Sequence, residues 1–289
     1  MKVIRQVAVV GATGMLGKHV TNRLVQQGYS VTAVVRNMLK GQQLLNSKVH
    51  LQKGDLSDPG SLLTAFRDVD YLYLNLSTGP YEKDADFRTE IEGLKNAIKA
   101  AKQAQIKRIA YLSSLVKDYE GNGWWVFDYK REAVRILREA DIPVTIFYPS
   151  NFYENLAELQ IRGNRVLLAG EQTTKSCWIG TEDYARMVGE AFRQQHDEDR
   201  EYAVQGPEAM NMDEAIDLFI QNYSSKNLKK TRVPMQVFKI LKPFSKTLDF
   251  QYHILDAINH YDEKFVSERT WDEFGKPQQT LADWAKQIK

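Results

Sequence analysis

The stretch VAVVGATGMLGKHV, residues 7–20, decides the fold expected for this chain. A short apolar run enters a turn with three glycines, and a segment of helical period follows. In a strand, turn and helix of this kind, Gly11 permits the tight turn, Gly14 lets the backbone approach a pyrophosphate, and Gly17 lets the helix pack closely on the strand. The spacing G-x-x-G-x-x-G therefore predicts a dinucleotide site, with the phosphates at the amino terminus of the helix.

Apolar runs of strand length alternate with segments of helical period up to about residue 150, which is typical of parallel βαβ units. We predict an α/β fold, with a doubly wound parallel-sheet Rossmann domain at residues 1–150 and a smaller, mixed carboxy-terminal lobe at residues 151–289. The predicted strands are residues 6–10, 30–35, 49–53, 71–76, 108–113, 144–148 and 201–204. The predicted helices include residues 18–27, 61–66, 86–103, 129–140, 181–193, 211–223 and 281–288. Residues 233–250 are interpreted as a helical lid or a mobile loop.

The composition is that of a globular protein, with 43% hydrophobic and 26% charged residues. The single cysteine, Cys177, excludes an intramolecular disulfide and fits a reducing compartment. No stretch approaches the roughly 20 apolar residues that cross a bilayer, so we expect a cytoplasmic protein without membrane contact. The net charge of +2 is too small to indicate nucleic acid, and the five scattered histidines predict no metal site.

Positive charge is concentrated at the start of the chain, where the first 54 residues contain eight Lys or Arg and no Asp or Glu. Because this segment contains the glycine turn, we expect it to serve an anionic ligand. NAD-selective proteins carry an acidic residue at the end of the second strand, and this chain has Arg36 there. A guanidinium pairs bidentately with a 2′-phosphate, so NADP(H) is the expected cofactor. Lys40 either adds a second positive charge or faces solvent.

Residues that leave the strands at their carboxyl ends are predicted to contact the cofactor. Asp55, after the third strand, is assigned to the adenine amino edge. The alternative for this carboxylate, capping the next helix, suits Asp58 better. The predicted cofactor contacts are Gly11, Thr13, Gly14, Met15, Leu16, Gly17, Arg36, Lys40, Asp55, Leu56, Asn75, Leu76, Ser77, Ser113, Lys130, Pro149 and Asn151.

Together with further segments, these residues resemble the NmrA-like group of atypical short-chain dehydrogenases and reductases. The resemblance covers nearly the whole chain and implies NAD(P) binding in a Rossmann fold. Members include NADPH-dependent quinone reductases, isoflavone-reductase-like enzymes and a redox-sensing transcriptional regulator. This chain departs from the family at residues 148–150, Tyr-Pro-Ser, where Arg-Pro-Gly is usual. The shared features are the glycine turn, Arg36, residues 54–56 (GDL), Ser113-Ser114, Lys130, and residues 149–155 (PSNFYEN), 178–185 (WIGTEDYA) and 270–275 (TWDEFG).

Ordinary short-chain dehydrogenases use a Tyr-x-x-x-Lys pair, in which tyrosine donates the proton and lysine holds the ribose. None of the 14 tyrosines here has a lysine four positions later, and Val126 stands four positions before Lys130. Lys130 is the candidate catalytic residue. The resemblance implies either contact with the nicotinamide ribose or proton transfer, and the alternative is a surface lysine. A pocket for a flat substrate is expected to be lined by Trp124, Trp125, Phe152, Tyr153 and Asn155.

Two functions are consistent with these features. The first is an NADPH-dependent oxidoreductase that reduces a small molecule, a quinone or related conjugated carbonyl, by direct hydride transfer, which demands little proton chemistry from the protein. The second is a non-catalytic NADP(H)-binding redox sensor that acts on a protein partner, with residues 233–250 as a candidate surface. Nucleotide-sugar epimerisation normally relies on the missing tyrosine and lysine pair and is disfavoured. We expect a monomer or a homodimer.

Overall fold

The computed structural model describes residues 5–121, 123–194 and 196–288. Strands and helices alternate through the first half of the chain. The strands are β1 (Gln6–Val10), β2 (Ser30–Val35), β3 (His50–Lys53), β4 (Tyr71–Leu74), β5 (Arg108–Leu112), β6 (Val144–Pro149), β7 (Ile161–Arg162), β8 (Arg165–Ala169), β9 (Ser176–Trp178), β10 (Arg200–Val204), β11 (Glu208–Met210) and β12 (Lys229–Val233). The α-helices are α1 (Gly17–Gln26), α2 (Met38–Leu44), α3 (Pro59–Ala65), α4 (Leu94–Gln103), α5 (Trp125–Arg138), α6 (Thr181–Gln194), α7 (Met212–Asn222), α8 (Met235–Leu241), α9 (Lys246–His260), α10 (Glu268–Phe274) and α11 (Leu281–Gln287).

The main sheet has seven strands in the order β10-β6-β5-β4-β1-β2-β3. Strand β1 pairs in parallel with β2 on one side and with β4 on the other. The parallel pairing continues from β2 to β3 and from β4 through β5 to β6. The chain therefore runs outward from β1 in two directions, and the point of reversal lies between β1 and β4. The predicted doubly wound Rossmann fold is confirmed.

The central strands are apolar because both faces of the sheet are covered. All four residues of β4 and all five of β5 are buried. Helices α3, α4 and α5 pack on these strands through small and branched side chains such as Leu62, Ala97 and Leu137. Burial on both faces explains why these strands appear in the sequence as continuous apolar runs.

Local signals fix the beginning of several helices. The Asp58 side chain accepts hydrogen bonds from the backbone N–H groups of Gly60 and Ser61, and Pro59 occupies the first turn of α3. Asp58 is thus the helix cap, as the sequence indicated. Asn211 and Glu214 form a reciprocal capping box at the start of α7.

The described residues form two compact units. The first contains the chain up to Ser113 together with Asp128–Tyr148 and Tyr184–Tyr202, and the second contains Ser114–Phe127, Pro149–Asp183 and the chain from Ala203 onward. The first unit carries most of the main sheet. The second holds a three-stranded sheet, β12-β8-β7, and the two-stranded pair β11-β9. Its core includes Tyr153, Trp178, Phe219 and Trp284.

Three expected boundaries are corrected. The strand expected to reach residue 76 ends at Leu74; the bond from the Asn75 N–H to the Val10 carbonyl is its last to β1, which itself ends at Val10, and residues 75–79 have no regular structure. The helix expected from residue 86 begins with a π-helical turn, Thr89–Gly93, before α4. Helix α5 begins at Trp125 rather than at Tyr129, because the apolar residues before Tyr129 pack in its first turn.

Candidate functional site

The glycine turn after β1 is held by the protein's own backbone. Gly11 has a φ of +83°, and the Gly14 N–H donates to the Gly11 carbonyl at 3.0 Å. A β-carbon on Gly11 would lie 2.1 Å from the Asn75 carbonyl oxygen, and one on Gly17 would lie 2.0 Å from the Gly11 oxygen. Internal packing therefore requires glycine at positions 11 and 17.

Gly14 is different, because the protein itself leaves it room. This residue is exposed, and a β-carbon there would meet only the Gly11 oxygen, at 3.2 Å. Internal packing therefore does not require glycine at position 14. A ligand that approaches the backbone closely at this position would require it. Helix α1 begins at Gly17, and Leu16 before it offers no side chain that caps the helix. Its first N–H groups suit a phosphate, and Thr13, Met15 and Leu16 lie half-buried in the same turn.

The two cationic candidates lie at the end of β2. Arg36 follows the strand directly and is exposed, as is Lys40 in the first turn of α2. The Asn37 side chain caps that helix by accepting from the Lys40 N–H at 3.0 Å. Both side chains are therefore presented to solvent, and within the described part of the chain neither forms an ion pair with a carboxylate.

Asp55 lies in the turn after β3. Its Oδ1 accepts from the Ser57 N–H at 2.9 Å and from the Ser57 hydroxyl at 2.8 Å. These bonds lower the pKa of the Asp55 carboxyl, and the Arg36 charge adds to the effect. The Asp55 N–H donates to the Ser61 hydroxyl at 3.0 Å, so this N–H is already engaged within the turn. Leu56 is half-buried, packs on the core, and its carbonyl accepts from Asn96.

Polar groups gather where β4 and β5 end. Asn75 lies against the glycine turn, Ser77 is exposed, and the Leu76 side chain belongs to the core, so only its backbone is available to a ligand. The buried hydroxyls of Thr78 and Ser113 have no hydrogen-bond partner among the described residues. Buried hydroxyls are normally satisfied, so this edge fits a polar ligand that supplies partners. Thr78 was not predicted, although it continues the polar run that begins at Ser77.

Lys130 projects from α5 and forms an ion pair with Glu90. The Lys130 Nζ lies 2.7 Å from Glu90 Oε1, and the side chains are 18% and 0% exposed. Lys130 is therefore mostly buried and paired, unlike an ordinary solvent-exposed lysine. Val126 lies in a cluster with Trp124 and Phe127, and within the described residues no tyrosine takes its place one turn before Lys130.

The remaining predicted residues belong to the second unit, where most of them are engaged internally. Pro149 is buried, and the Asn151 amide donates to the Ser176 hydroxyl at 2.9 Å. Tyr153 is fully buried, and its hydroxyl donates to the Gln279 carbonyl at 3.2 Å. Phe152 is buried and Asn155 half-buried, so this segment packs the unit as well as following β6.

The two tryptophans lie apart from Tyr153, in a second aromatic cluster. Trp124 is buried against Phe127 and Phe250, with ring centroids 4.9 and 4.8 Å away, whereas Trp125 is half-buried. The structure thus divides the predicted pocket residues between two clusters, and of the two tryptophans Trp125 retains the more accessible surface.

Two further properties bear on function. Within the described ranges, no group of three or more His, Cys, Asp or Glu side chains is arranged to hold a metal ion. No helix in this part of the chain combines the length and apolar character that a bilayer crossing needs.

Comparison with known proteins identifies the family. The NmrA-like family model matches residues 4–282, and the chain belongs to this family. "Quinone oxidoreductase 2" of Escherichia coli is 27% identical over 212 residues, covering 71% of this chain and 70% of the relative. The photosystem II assembly factor Ycf39 of Cyanophora paradoxa is 25% identical over 255 residues, covering 87% and 79%.

Solved structures share the fold over nearly the whole chain. The E. coli NADPH-dependent quinone oxidoreductase complexed with NADPH superposes with a TM-score of 0.71 at 23% identity, covering 96% of this chain and 98% of that one. The Citrobacter triphenylmethane reductase complexed with NADP(H) gives a TM-score of 0.73 at 21% identity, covering 97% and 99%. These likenesses agree with the doubly wound sheet described above.

Proposed function

We propose that this member of the NmrA-like family binds NADP(H) at the glycine turn and acts as an NADPH-dependent oxidoreductase. The observation that carries the proposal is Gly14, a glycine that the protein's own packing does not require, beside the uncapped amino terminus of α1. A pyrophosphate placed there would receive backbone N–H groups and the positive end of the helix dipole. The NADP(H)-bound relatives of the same fold support this placement.

The preference for NADP over NAD rests on charge. Arg36 and Lys40 are both exposed at the end of β2, where an NAD-selective site would carry a carboxylate. A 2′-phosphate there would gain a bidentate guanidinium contact. Asp55, oriented by Ser57, is the proposed partner of the adenine amino group.

The substrate proposed is a quinone or a related flat conjugated carbonyl compound. When bound, NADPH supplies a hydride, so that quinone, NADPH and one proton yield hydroquinone and NADP⁺. The chain contributes binding and orientation, through Lys130 and the hydroxyls of Thr78 and Ser113. The proton that completes the hydroquinone comes from water, because Val126 provides no donor at the position of the usual tyrosine. The quinone oxidoreductase relative supports this substrate class.

The test is direct. Purified protein is mixed with NADPH or NADH and a panel of quinones, and the absorbance of the reduced cofactor is followed. We expect consumption of NADPH, with a higher kcat/KM than for NADH. Absence of turnover across the panel, with the cofactor shown to bind, would refute the enzymatic proposal.

A second candidate is a non-catalytic NADP(H)-binding factor that acts on a protein partner. Helix α8 and the turn after it expose Ile240 and Phe244, which are 67% and 84% accessible. Residues 218–248 contain seven Lys or Arg and no Asp or Glu, although Lys230 and Arg232 pair with Asp213 of α7. Lys239 and Lys242 lie in the same segment as the exposed apolar side chains, so the proposed partner is a protein surface with acidic residues around an apolar patch. The Ycf39 relatives, named as assembly factors, support this alternative.

Calorimetric affinities for NADP⁺ and NADPH, together with the consumption of NADPH, distinguish the two candidate functions. A sensor is expected to bind NADP⁺ at least as tightly as NADPH and to consume neither, whereas a reductase consumes NADPH in the presence of quinone. Steady turnover at a rate well above that of a Gly14→Ala variant would exclude the purely non-catalytic alternative.

A further inference from the structure

The Lys130–Glu90 pair differs from the other charged contacts of α5. Arg131 pairs with Asp128 and Arg135 pairs with Glu132 along the exposed face of the helix, where ion pairs contribute little. Arg138 reaches a carboxylate of another element, Glu201, but that pair is also solvent-exposed. Glu90 is instead fully buried, and its Oε1 receives a hydrogen bond from Lys130. A carboxylate is costly to bury, and it is retained in such a place when it has a specific partner or task.

The backbone around Glu90 is unusual as well. Glu90 lies in the π-helical turn Thr89–Gly93, which leads into α4. Turns of this kind are rare and occur frequently at functional sites. Glu90 is also near the amino terminus of a helical segment, where the backbone dipole stabilises a negative charge. The local structure thus keeps a charged carboxylate facing Lys130.

The second carboxylate oxygen of Glu90, Oε2, forms no hydrogen bond with Lys130 and lies in the interior. Glu90 Oε2 and the hydroxyl of Tyr111 on β5 are both buried, and neither forms a hydrogen bond of regular geometry among the described residues, although the two groups lie close enough to interact with each other. Burial, followed by the negative charge of Glu90, raises the pKa of Tyr111 well above its usual range. Tyr111 is therefore neutral, and Lys130 is the cation that balances Glu90.

We propose that Glu90 is the positioning residue for Lys130, and that it fixes the ammonium group as a charged donor to the bound cofactor, rather than as a proton donor to the substrate. This inference rests on the proposed function. Loss of the lysine proton would leave the Glu90 carboxylate buried without a counter-charge, which disfavours proton transfer from Lys130. A fixed ammonium group is suited instead to hydrogen bonding with the hydroxyls of a ribose.

The experiment compares NADPH affinity in a double-mutant cycle, using calorimetry. Glu90→Gln removes the charge but keeps the size of the side chain, and Lys130→Met removes the cation. We expect each single variant to weaken NADPH binding by at least about tenfold, the amount typical of losing a hydrogen bond to a charged group. The double variant, which leaves no unpaired buried charge, should bind no more weakly than Lys130→Met alone.

Asp70→Asn is a matched control, because it weakens another carboxylate–lysine pair of the same unit. Asp70 precedes β4 and contacts Lys107, which precedes β5, at 2.7 Å, so this pair lies at the opposite edge of the same sheet. We expect this variant to retain the NADPH affinity of the wild type.

The outcomes are distinguishable. If wild-type protein does not bind NADPH, the proposed function fails and this inference fails with it. If wild-type protein binds NADPH and Glu90→Gln binds it equally well, only the inference is overturned. A loss confined to kcat, with affinity unchanged, would overturn it too, because it would assign Lys130 to proton transfer. Additive losses in the double variant would show that Glu90 acts independently of Lys130.

Discussion

Replacing Gly14 with alanine tests whether glycine is needed at this position for folding or for binding of NADPH. The new β-carbon would meet only the Gly11 oxygen, at 3.2 Å, a contact that a shift of a few tenths of an ångström relieves. Alanine also lowers the entropy of the unfolded chain, which is worth about 0.4–1 kcal/mol in favour of folding. The two effects oppose one another, so the free energy of unfolding should change by less than about 1 kcal/mol.

The effect on NADPH binding should be much larger. A methyl group at Gly14 would stand where the pyrophosphate approaches the backbone, so the phosphate would withdraw from the N–H groups of the turn. Loss of one or two hydrogen bonds to a charged group costs about 1.5–3 kcal/mol each. At 1.4 kcal/mol per tenfold change, we expect affinity to fall by roughly tenfold to a thousandfold or more.

The assay pairs thermal unfolding without ligand with calorimetric titration of NADPH. Gly28→Ala is the control for backbone strain, because Gly28 has a φ of +88° and open space around it. We expect it to cost about 1–2 kcal/mol of stability and to leave binding intact. Gly17→Ala should fail to fold normally, since its β-carbon would collide with the Gly11 backbone. An NADPH affinity that is unchanged in Gly14→Ala would refute the proposed pyrophosphate site at the glycine turn.

Three further predictions concern charge. Arg36→Asp should weaken NADP binding at least about tenfold more than NAD binding, and equal losses would place Arg36 away from the 2′-phosphate. The hydrogen bond from Arg88 lowers the pKa of Glu92 to about 2, so this pair stabilises the fold above the ordinary carboxyl pKa of 4.5 and loses that contribution as the pH falls towards 2. Because the pair is partly solvent-exposed, Glu92→Gln should lower the free energy of unfolding by less than about 1 kcal/mol at neutral pH. It should also make the free energy of unfolding less dependent on pH between 4.5 and 2. An unchanged pH dependence would contradict the lowered pKa of Glu92. Burial raises the pKa of the Cys177 thiol to about 11, so a thiol reagent at pH 8 should label native protein far more slowly than protein in guanidinium, and equal rates would contradict the burial.

The Rossmann half of the fold was predictable from the sequence because its signals are local. Strands β1 and β2 begin and end at the predicted residues, and β3 begins one residue later. Each is an apolar run bounded by turn residues and followed by a helix, so pattern and structure agree. The second unit was less predictable. Strand β8 pairs with β12, some 60 residues further along the chain, and short strands with distant partners leave little periodicity in the sequence.

Some residues of the candidate site were predictable from the sequence and others were not, for the same reason. Gly11 and Gly17 were predictable because the backbone around them leaves no room for a β-carbon. Gly14 was predictable from the motif spacing, in which this position lets a phosphate approach the backbone. Glu90 was not, because an acidic residue near the start of a helix ordinarily lies on the surface. Only the π-helical turn and the approach of α5 bring Glu90 to Lys130 in the interior. Tertiary contact, rather than local pattern, defines this part of the site.

The pairing of Lys130 with Glu90 also changes what the missing tyrosine implies. With Val126 in place of that tyrosine, Lys130 is the residue of α5 to which the family resemblance assigns either proton transfer or contact with the ribose, and the sequence alone left that role open. A lysine held against a fully buried carboxylate is a poor proton donor, since giving up its proton would strand a negative charge in the interior. The proposed reduction should therefore favour substrates whose product takes its proton from water, as a hydroquinone does. Substrates that need a proton delivered during hydride transfer, such as simple ketones, should react much more slowly than quinones, and comparable rates for the two classes would require a proton donor other than Lys130.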